Sequence, residues 1–411
     1  MKKILIIILI SLLITLGILW WGRGWFGTIA VDGTPIPISQ TFFPRAGNTV
    51  SNFIDSVVNQ TDTGDLFSNT NNQPDQALSV ITKEPIAFAD WINTGTSSNI
   101  VYIERATGHI YRLNPLTGEV TRLSAATLAP AITATWAQNT NHTYFYIQTS
   151  QETNNGWYRV VINNKDLFAT STEPTTNSIK LANNINSITP APDHKTIFSL
   201  EQNGTKVAGY VSKPDGTSRA LVWTSNYPDW RVWWGSVDNL YLATKADSSM
   251  PSVVYSLNLK TKTLERLVGN STGISLSPEL NGERFIYNTA RFGSISTYLF
   301  NLVTKQVVVL ASITLPEKCF WPKGDTIWCF IPQIIPTNNY PESWYQGLIT
   351  FSDNLQAINI TSGNSDILIN PTSLNLTIDG ISPFLDQSKK YLYFINKSDA
   401  KLWRANLQTV F

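Results

Sequence analysis

The two cysteines of this 411-residue chain, Cys319 and Cys329, enclose the stretch CFWPKGDTIWC. A cysteine pair can hold a metal ion, exchange thiols or form a structural disulfide. A zinc site needs further ligands, and the three histidines of the chain lie far from the cysteines in sequence. Redox-active pairs usually follow a Cys-X-X-Cys pattern, whereas these cysteines are ten positions apart. Neither metal binding nor redox chemistry is therefore the favoured interpretation.

The two cysteine positions are symmetric about Gly324. A hairpin with its turn at Lys323-Gly324-Asp325 places them on opposed strands, within reach of a disulfide. The sequence therefore predicts a structural disulfide between Cys319 and Cys329. Two free buried thiols and a metal or redox pair are the alternatives.

Other motifs give weak evidence of catalysis. The stretch GNSTG, residues 269–273, matches the G-x-S-x-G of a nucleophile elbow, but that motif requires a later histidine, and none follows His194. His109, in RATGHIY, lies close in sequence to Glu104 and Arg105, a pairing that is normally structural. Acidic residues without the regular spacing of a calcium loop include Asp90, Asp229 and Asp238. The sequence thus predicts no catalytic residue, no metal site and no cofactor; a calcium ion in a central channel is the alternative.

Aromatic residues in two predicted loops are the best binding candidates. The first segment is NYPDWRVWW and the second is TNNYPESWYQ. Tyr, Trp and Arg are enriched at binding hot spots, and a long loop in a compact fold is often functional. The predicted ligand-binding residues are Tyr227, Asp229, Trp230 and Arg231 in the first segment and Asn338, Asn339, Tyr340, Glu342, Trp344 and Tyr345 in the second. The alternative is structural packing, as expected for Trp223, Trp233 and Trp234.

A repeat of about fifty residues supplies the elements that position these loops. NPLTGEVTRL, NLKTKTLERL and NLVTKQVVVL share an Asn-x-x-Thr-[Gly/Lys] turn followed by a strand, and begin at Asn114, Asn258 and Asn301. An asparagine in such a turn accepts local backbone N–H groups. Weaker copies begin at Asn163, Asp215, Asp353 and Asn406. Seven units of about four short strands predict an all-β, seven-bladed β-propeller, with six or eight blades as alternatives.

The blade assignment places both aromatic loops on one face of the propeller. NYPDWRVWW precedes the first strand of blade four, and TNNYPESWYQ joins the second and third strands of blade six. In the seventh repeat, NLQTVF at Phe411 leaves the last blade without an outer strand. An unpaired edge is unfavourable, so Ala77–Thr82 is expected to complete that blade. The predicted propeller domain therefore covers residues 77–411 and is closed by an N-terminal strand.

The N-terminal segment predicts a membrane anchor. Ile4–Trp21 contains 18 uncharged, mostly apolar residues, enough to span a bilayer. Lys2 and Lys3 before the segment, against Arg23 after it, place the N-terminus in the cytoplasm and the propeller outside. We expect a transmembrane anchor over residues 1–25 and a flexible spacer over residues 26–76. A cleaved signal peptide is the alternative.

The composition excludes one class of partner. The formal net charge is +1, and charged residues make up 14% of the chain, which is not the basic footprint of a nucleic-acid-binding protein. We therefore expect no nucleic acid among the partners.

Several stretches resemble a known group of proteins. These are PIAFADWI, VYIERATGHIYRLNPLTGEVTRLS, KCFWPKGDTIWCFIPQ, YPESWYQGLITFSDN and YLYFINKSDAKLWRANL. They are similar to uncharacterised, membrane-anchored propeller proteins of candidate-phylum bacteria and, more distantly, to the Tol-Pal periplasmic propeller and other WD-like propellers. The resemblance covers roughly residues 77 to 411. It implies a propeller fold and an extracytoplasmic location, and it transfers no catalytic residue.

The anchor, the spacer and the lack of a local catalytic motif predict a function. We expect a non-enzymatic, membrane-tethered propeller that acts as a protein-binding scaffold at the cell surface. A glycan-binding propeller is the first alternative, because exposed aromatic rings flanked by polar groups suit sugars. A propeller lyase or hydrolase with a carboxylate pair in the channel is the second.

Overall fold

The structure, a computed structural model, describes residues 76–93, 98–150, 155–169, 173–322 and 324–408. The predicted anchor over residues 1–25 and the predicted spacer up to residue 75 lie outside these ranges. Within them, no helix has the length and apolar character needed to cross a membrane.

The described residues form seven four-stranded antiparallel sheets. Blade one contains β2 (Ile86–Asn93), β3 (Ser98–Glu104), β4 (Ile110–Leu113) and β5 (Val120–Arg122). Blade two contains β6 (Ala131–Gln138), β7 (His142–Thr149), β8 (Gly156–Asn163) and β9 (Ser178–Lys180). Blade three contains β10 (Ile185–Pro190), β11 (Ile197–Asn203), β12 (Lys206–Ser212) and β13 (Ala220–Ser225).

The remaining blades follow the same order. Blade four contains β14 (Trp230–Ser236), β15 (Asn239–Thr244), β16 (Pro251–Asn258) and β17 (Leu264–Thr272). Blade five contains β18 (Leu276–Pro278), β19 (Arg284–Arg291), β20 (Ser294–Asn301) and β21 (Val307–Val309). Blade six contains β22 (Cys319–Phe320), β23 (Thr326–Pro332), β24 (Asp353–Asn359) and β25 (Ser365–Ile369). Blade seven contains β26 (Gly380–Leu385), β27 (Tyr391–Asn396), β28 (Lys401–Asn406) and β1 (Leu78–Val80).

Short helical segments interrupt this pattern in the described part of the chain. Two are α-helical, α1 (Asn164–Phe168) and α2 (Glu342–Tyr345), and two are 3₁₀ turns, Pro316–Lys318 and Pro371–Leu374. The turn Pro316–Lys318 leads directly into β22, and α2 lies in the connection between β23 and β24. Both segments matter for the site described below.

The first strands of the blades form a closed ring. β2, β6, β10, β14 and β18 contact one another in that order, and β26 contacts both β22 and β2. The turn Pro316–Lys318 contacts β18 on one side and β26 on the other, which completes the ring. The predicted seven-bladed β-propeller is therefore confirmed.

The strand β1 joins the end of the propeller to its beginning. It pairs antiparallel with β28, with Leu78 opposite Ala405 and Val80 opposite Trp403. Leu78 is buried against the core of blade seven. The backbone N–H of Leu402 donates to Thr82 Oγ1 at 3.0 Å. Every blade in the described residues thus has four strands, because the last one takes its outer strand from the start of the domain.

The repeated turns are held by asparagine side chains, as the sequence pattern predicts. The side-chain carbonyls of Asn114, Asn258 and Asn301 each accept two backbone N–H groups of the following residues. The turn assigned to Asp353 is wrong. The corresponding turn of blade six begins at Asn359, whose side chain accepts the N–H groups of the residues two and three positions later.

The cysteines form the predicted disulfide. Cys319 and Cys329 lie directly opposite each other in the β22–β23 pair, with their Cα atoms 4.1 Å apart. Their burial beside Ile327 and Ile358 places the bond inside the interface between blades five and six. The disulfide therefore braces the inner hairpin of blade six.

The hydrophobic core lies between adjacent blades, because each sheet packs both faces against its neighbours. The second strand of each blade is accordingly almost continuously buried, as in β15 and β27. Trp234 is buried between blades three and four, and Trp223 and Trp233 pack as partly buried residues against the neighbouring clusters. The packing expected for these three tryptophans is observed.

Candidate functional site

One end of the ring gathers polar side chains from several blades. Arg231 is the second residue of β14, Ser275 precedes β18, Glu317 lies two positions before β22, and Asp379 precedes β26. Because all first strands run in the same direction along the axis of the ring, these four residues lie at the same end. The connections between second and third strands emerge there too, since neighbouring strands are antiparallel. We call this end the mouth face.

A long connection crosses the mouth face. Residues 333–352, here named the blade-six loop, join β23 to β24 and include α2. The N–H of Asn338 donates to the carbonyl of Gly293 in blade five at 3.2 Å. Farther along, Glu342 Oε1 accepts the N–H of Ser248 in blade four. The loop therefore lies across blade five and reaches blade four.

Blade five is shaped to admit this loop. Gly293 has a φ of +78°, and a Cβ added there would lie 2.5 Å from a side-chain carbon of Thr337 in the blade-six loop. A residue other than glycine would be strained in this conformation and would push the loop away. The close contact at Gly293 therefore fixes the path of the loop.

The loop brings Tyr345 into a polar group that we call the mouth cluster, formed by Arg231, Ser275, Glu317 and Tyr345. The Tyr345 hydroxyl accepts a hydrogen bond from Arg231 Nη1 at 2.8 Å and donates one to Glu317 Oε1. Ser275 Oγ lies 3.1 Å from Glu317 Oε2, and Arg231 Nη1 lies 3.7 Å from Glu317 Oε1. The Arg231 guanidinium also lies over the Tyr345 ring, 4.5 Å from its centroid. The cluster joins a cation, a carboxylate and two hydroxyls.

The environment keeps the mouth cluster in defined protonation states. Burial raises the pKa of Tyr345, and the Glu317 carboxylate raises it further, against the opposing effect of Arg231. Burial alone would lower the pKa of Arg231, but Tyr345 and Glu317 outweigh it, and the pKa is raised. Tyr345 is therefore a protonated hydroxyl and Arg231 a cation at neutral pH. The side chains of Arg231 and Glu317 are 22% and 27% exposed, so both keep some contact with solvent.

A second charged group lies beneath the loop, completely buried. Lys318 Nζ is 2.7 Å from Asp353 Oδ2 and also bonds Asp379 Oδ1. All three side chains have zero exposure. We call this group the Lys318 cluster. Buried charges of this kind are costly unless they are paired and hydrogen-bonded.

The structure brings some of the predicted binding residues together. Arg231 from the first segment contacts Tyr345 from the second, although 114 positions separate them. Tyr227 is 41% exposed and packs edge-on against Trp230, with ring centroids 5.8 Å apart. Asp229, between them in sequence, is exposed. We call Tyr227, Asp229 and Trp230 the rim; they directly precede Arg231 in the chain, and ligand binding by this rim stays a prediction.

Other predicted binding residues take part in contacts that hold the blade-six loop in place. Tyr340 and Trp344 are 0% and 3% exposed and pack with Phe351 in a hydrophobic cluster. Asn338 Oδ1 accepts the Ser343 hydroxyl at 2.7 Å. Asn339, which is exposed, accepts the backbone N–H of Ser343, while the Glu342 carboxylate bonds blade four. The described contacts of these five predicted residues thus shape the blade-six loop itself.

The sequence analysis missed Ser275, Glu317, Lys318 and Asp379. One signal was available: Glu317 and Lys318 are adjacent charges within the otherwise uncharged stretch SITLPEKCFW, in a chain with 14% charged residues. Charges that directly precede an inner strand are placed at the ring. For metal binding, no group of three or more His, Cys, Asp or Glu side chains capable of holding an ion occurs in the described part of the chain.

Comparison with solved structures identifies the architecture. An oligogalacturonate lyase from Vibrio parahaemolyticus aligns with a TM-score of 0.55 at 9% identity, over 81% of this chain and 94% of the lyase. An oligogalacturonate lyase in complex with manganese aligns with a TM-score of 0.49 at 10% identity, over 79% of this chain and 96% of that protein. A puromycin-hydrolyzing peptidase from Mycobacterium tuberculosis aligns with a TM-score of 0.47 at 11% identity, over 75% of this chain and 50% of the peptidase. At these identities the likeness shows the fold, and no family model and no curated protein sequence matches the chain.

These comparisons correct the predicted function. The expectation of a non-enzymatic, protein-binding scaffold is wrong, because the solved propeller that aligns with a TM-score of 0.55 is named as an enzyme, an oligogalacturonate lyase. That expectation depended on the lack of a local catalytic motif. Side chains that meet only in the fold escape such a search: the members of the mouth cluster come from blades four, five and six, so no short motif could contain them.

Proposed function

We propose that this chain is a propeller enzyme that performs acid–base chemistry at the mouth cluster. One observation carries the proposal: the Tyr345 hydroxyl lies between Arg231 Nη1, at 2.8 Å, and the Glu317 carboxylate. A proton donor, a proton acceptor and a cation within hydrogen-bond reach of one another are the groups that proton-transfer catalysis needs. The side chains of Arg231 and Glu317 are partly exposed, as groups that meet a substrate must be.

The reaction we propose is elimination from an acidic sugar. The oligogalacturonate lyase that shares the fold bears the name of such a substrate. Arg231 would bind the substrate carboxylate and stabilise negative charge on it in the transition state. Glu317 accepts the proton from the carbon next to that carboxylate, the bond from the neighbouring carbon to the leaving oxygen breaks, and Tyr345 donates its proton to that oxygen. A double bond forms between the two carbons, so atoms and charges balance.

The geometry also provides a way to restore the starting state. After elimination Glu317 is protonated and Tyr345 is a phenolate, and the two groups are already hydrogen-bonded. The raised pKa of Tyr345 makes the phenolate a strong acceptor. The proton therefore returns from Glu317 to Tyr345 without an external donor. The Ser275 hydroxyl donates its one hydrogen to Asn288 Oδ1 at 2.7 Å, and its oxygen, 3.1 Å from Glu317 Oε2, can accept a hydrogen bond from Glu317 when that group is protonated.

The exposed rim beside the cluster suits the rest of a sugar chain. Tyr227 and Trp230 present an edge-on aromatic pair held by a 2.8 Å hydrogen bond from Trp230 Nε1 to the Tyr227 carbonyl. Sugar rings stack on aromatic faces and hydrogen-bond with nearby polar groups, and Asp229 provides such a group. We assign substrate binding to this rim and proton transfer to the mouth cluster.

The test is turnover of acidic oligosaccharides by the purified full-length chain. Elimination creates a conjugated double bond that absorbs ultraviolet light, whereas hydrolysis creates a reducing end without that absorbance. We expect Tyr345→Phe and Glu317→Gln each to lower kcat by about 100-fold or more. The matched controls are Tyr298→Phe in β20 and Glu265→Gln in β17, which lie outside the mouth cluster and should retain full activity.

Two outcomes would refute the proposal. The first is the absence of turnover on uronate-containing and neutral oligosaccharides alike. The second is turnover that both mouth-cluster variants retain at the wild-type rate. If the chain hydrolysed the sugar without forming an unsaturated product, the mouth cluster would remain the proposed site, and hydrolysis would replace elimination as its reaction.

The cellular setting is a separate proposal. We propose that residues 1–25 anchor the protein in the membrane as a single helix, with the propeller outside, and that it belongs with the membrane-anchored propellers that its sequence resembles. The apolar run Ile4–Trp21 supports the anchor, and the Cys319–Cys329 disulfide agrees with an oxidising compartment. Protease added to intact cells should degrade the propeller, and alkaline washing should leave the chain in the membrane. Release of the chain by alkaline washing would exclude the anchor.

A further inference from the structure

The Lys318 cluster connects both sides of the mouth cluster. Asp379 Oδ2 accepts Trp344 Nε1 at 3.0 Å and the backbone N–H of Phe351 at 3.1 Å. Trp344 is the chain neighbour of Tyr345, and Lys318 is the chain neighbour of Glu317. The buried ion pairs therefore hold the two backbone segments that set the contact between the Tyr345 hydroxyl and the Glu317 carboxylate.

The Lys318 cluster holds the second half of the blade-six loop at Trp344 and at Asp353. Asp353 is the residue that follows the loop, and its Oδ2 accepts the N–H of Gly380 at 2.9 Å. The Lys318 ammonium lies 5.3 Å from the ring centroids of both Trp344 and Phe351. The loop thus closes over a cation that two carboxylates and two aromatic rings surround.

One carboxylate oxygen in this closed site is unsatisfied. Asp353 Oδ1 is buried and has no hydrogen-bond partner among the described residues. The charges that face it are Lys318 from the 3₁₀ turn and Asp379 from the segment before β26, and Lys397 from blade seven lies 5.0 Å from the Trp344 ring centroid. Lys397 also interacts electrostatically with Asp379. The Asp353 carboxylate shares Lys318 with Asp379 and has one oxygen without a hydrogen-bond partner among the described residues, so it is the less compensated of the two buried carboxylates. A proton on Asp353 would neutralise it.

We propose that the Lys318 cluster is a proton-operated latch for the blade-six loop, in which protonation of Asp353 favours the closed loop and its loss favours opening. Asp353 and Lys318 are positioning residues, since neither belongs to the mouth cluster. Any effect of the latch on catalysis rests on the function proposed above. The opening and closing of the blade-six loop does not depend on that function.

The direction of the pH effect follows from linkage. Burial raises the pKa of Asp353 from 3.8 to about 6 in the closed loop; Lys318 opposes this rise and Asp379 adds to it. Opening admits water and lets the pKa return toward its ordinary value. The closed state therefore binds the proton more tightly, and closure becomes more favourable as the pH falls through this range. Between pH 8 and pH 5 the closing equilibrium should shift by about tenfold.

Hydrogen–deuterium exchange of the full-length chain tests the latch. After correction for the intrinsic pH dependence of exchange, we expect peptides from residues 333–352 to be about tenfold better protected at pH 5 than at pH 8. Peptides from β3 and β4 serve as the internal reference. The variant Asp353→Asn, which mimics the neutral carboxyl, should be well protected at both pH values. Asp366→Asn, an exposed position in β25 of the same blade, should behave as wild type.

The wild-type measurement decides the question even if Asp353→Asn fails to fold. Loop protection that is equal at pH 5 and pH 8, or greater at pH 8, would overturn the latch. So would an Asp353→Asn variant that folds and keeps the wild-type pH dependence. If the chain showed the expected exchange pattern but turned over no sugar, the latch would stand and the function proposed for the mouth cluster would be refuted.

Discussion

Replacing Lys318 by methionine removes the cation that faces two buried carboxylates. A matched surface pair makes the effect measurable: Lys260 Nζ lies 2.6 Å from Asp238 Oδ2, nearly the same distance as the 2.7 Å between Lys318 Nζ and Asp353 Oδ2. The Lys260 side chain is 73% exposed and that of Lys318 is 0% exposed. The two pairs therefore differ in burial far more than in length.

Burial decides the expected magnitude. Removing one partner of a buried ion pair leaves an uncompensated charge and costs about 3–5 kcal/mol. An exposed pair contributes only about 0–1 kcal/mol, because solvent already screens it. Lys318→Met should therefore lower the free energy of unfolding by about 3–5 kcal/mol, and Lys260→Met by less than about 1 kcal/mol. Methionine keeps most of the side-chain volume at both positions.

Urea unfolding of the full-length chain, followed by tryptophan fluorescence, measures both changes. The slope of the free energy against urea concentration must be similar in all three proteins for the midpoints to report stability. Equal midpoint shifts for Lys318→Met and Lys260→Met would refute the argument from burial.

The pH dependence of Lys318→Met provides a second check. In the variant, Asp353 loses the cation that lowers its pKa, so its folded-state pKa rises. Groups with raised folded-state pKa values stabilise the protein as the pH falls through them. The stability gap between the variant and the wild type should therefore narrow from pH 7 to pH 5. An unchanged gap would mean that the carboxylates are not the source of the loss.

Three further predictions concern the scaffold. Leu78→Ala in β1 should lower the free energy of unfolding by about 2–5 kcal/mol, because it leaves a cavity in blade seven. Val80 lies on the same strand and is 42% exposed, so Val80→Ala should lower it by less than about 0.5 kcal/mol in a urea titration. Reduction of Cys319–Cys329 should destabilise the chain by about 2–4 kcal/mol, and an unchanged melting temperature in reductant would exclude the bracing role. Gly380→Ala places a Cβ 2.5 Å from aromatic ring atoms, so overpacking should cost about 1–3 kcal/mol, seen as a lower urea midpoint.

The repeat in the sequence was sufficient to predict the propeller. Each Asn-x-x-Thr turn is stabilised by a local interaction, in which one side chain accepts two neighbouring N–H groups. This interaction does not depend on the rest of the fold. Blade six shows the limit of such local reasoning. Asp353 stands in a polar stretch like that of the other turns, but its carboxyl is buried against Lys318, and Asn359 forms the turn instead. Both stretches satisfy local turn chemistry, and the choice between them depends on distant contacts.

The disulfide was predictable for a similar reason. Cys319 and Cys329 are close in sequence, and a single hairpin determines their distance. The mouth cluster had no such local determinant. Glu317 and Tyr345 are 28 positions apart, and Arg231 and Tyr345 are 114 apart, so their contacts depend on the angle between blades and on the path of one loop.

That path explains why the face was predictable and the site was not. Strand direction alone places the starts of the inner strands and the blade-six loop at the same end of the ring. Where the loop goes from there depends on Gly293, which lets it pass over blade five, and on Asp379, which holds Trp344. A loop that remained above its own blade would leave Tyr340 and Trp344 exposed, whereas their burial to 0% and 3% stabilises the inward path. Tyr340 and Trp344, two of the aromatic residues that suggested a binding surface, thus pack inside the loop, and their burial places Tyr345 beside Arg231 and Glu317.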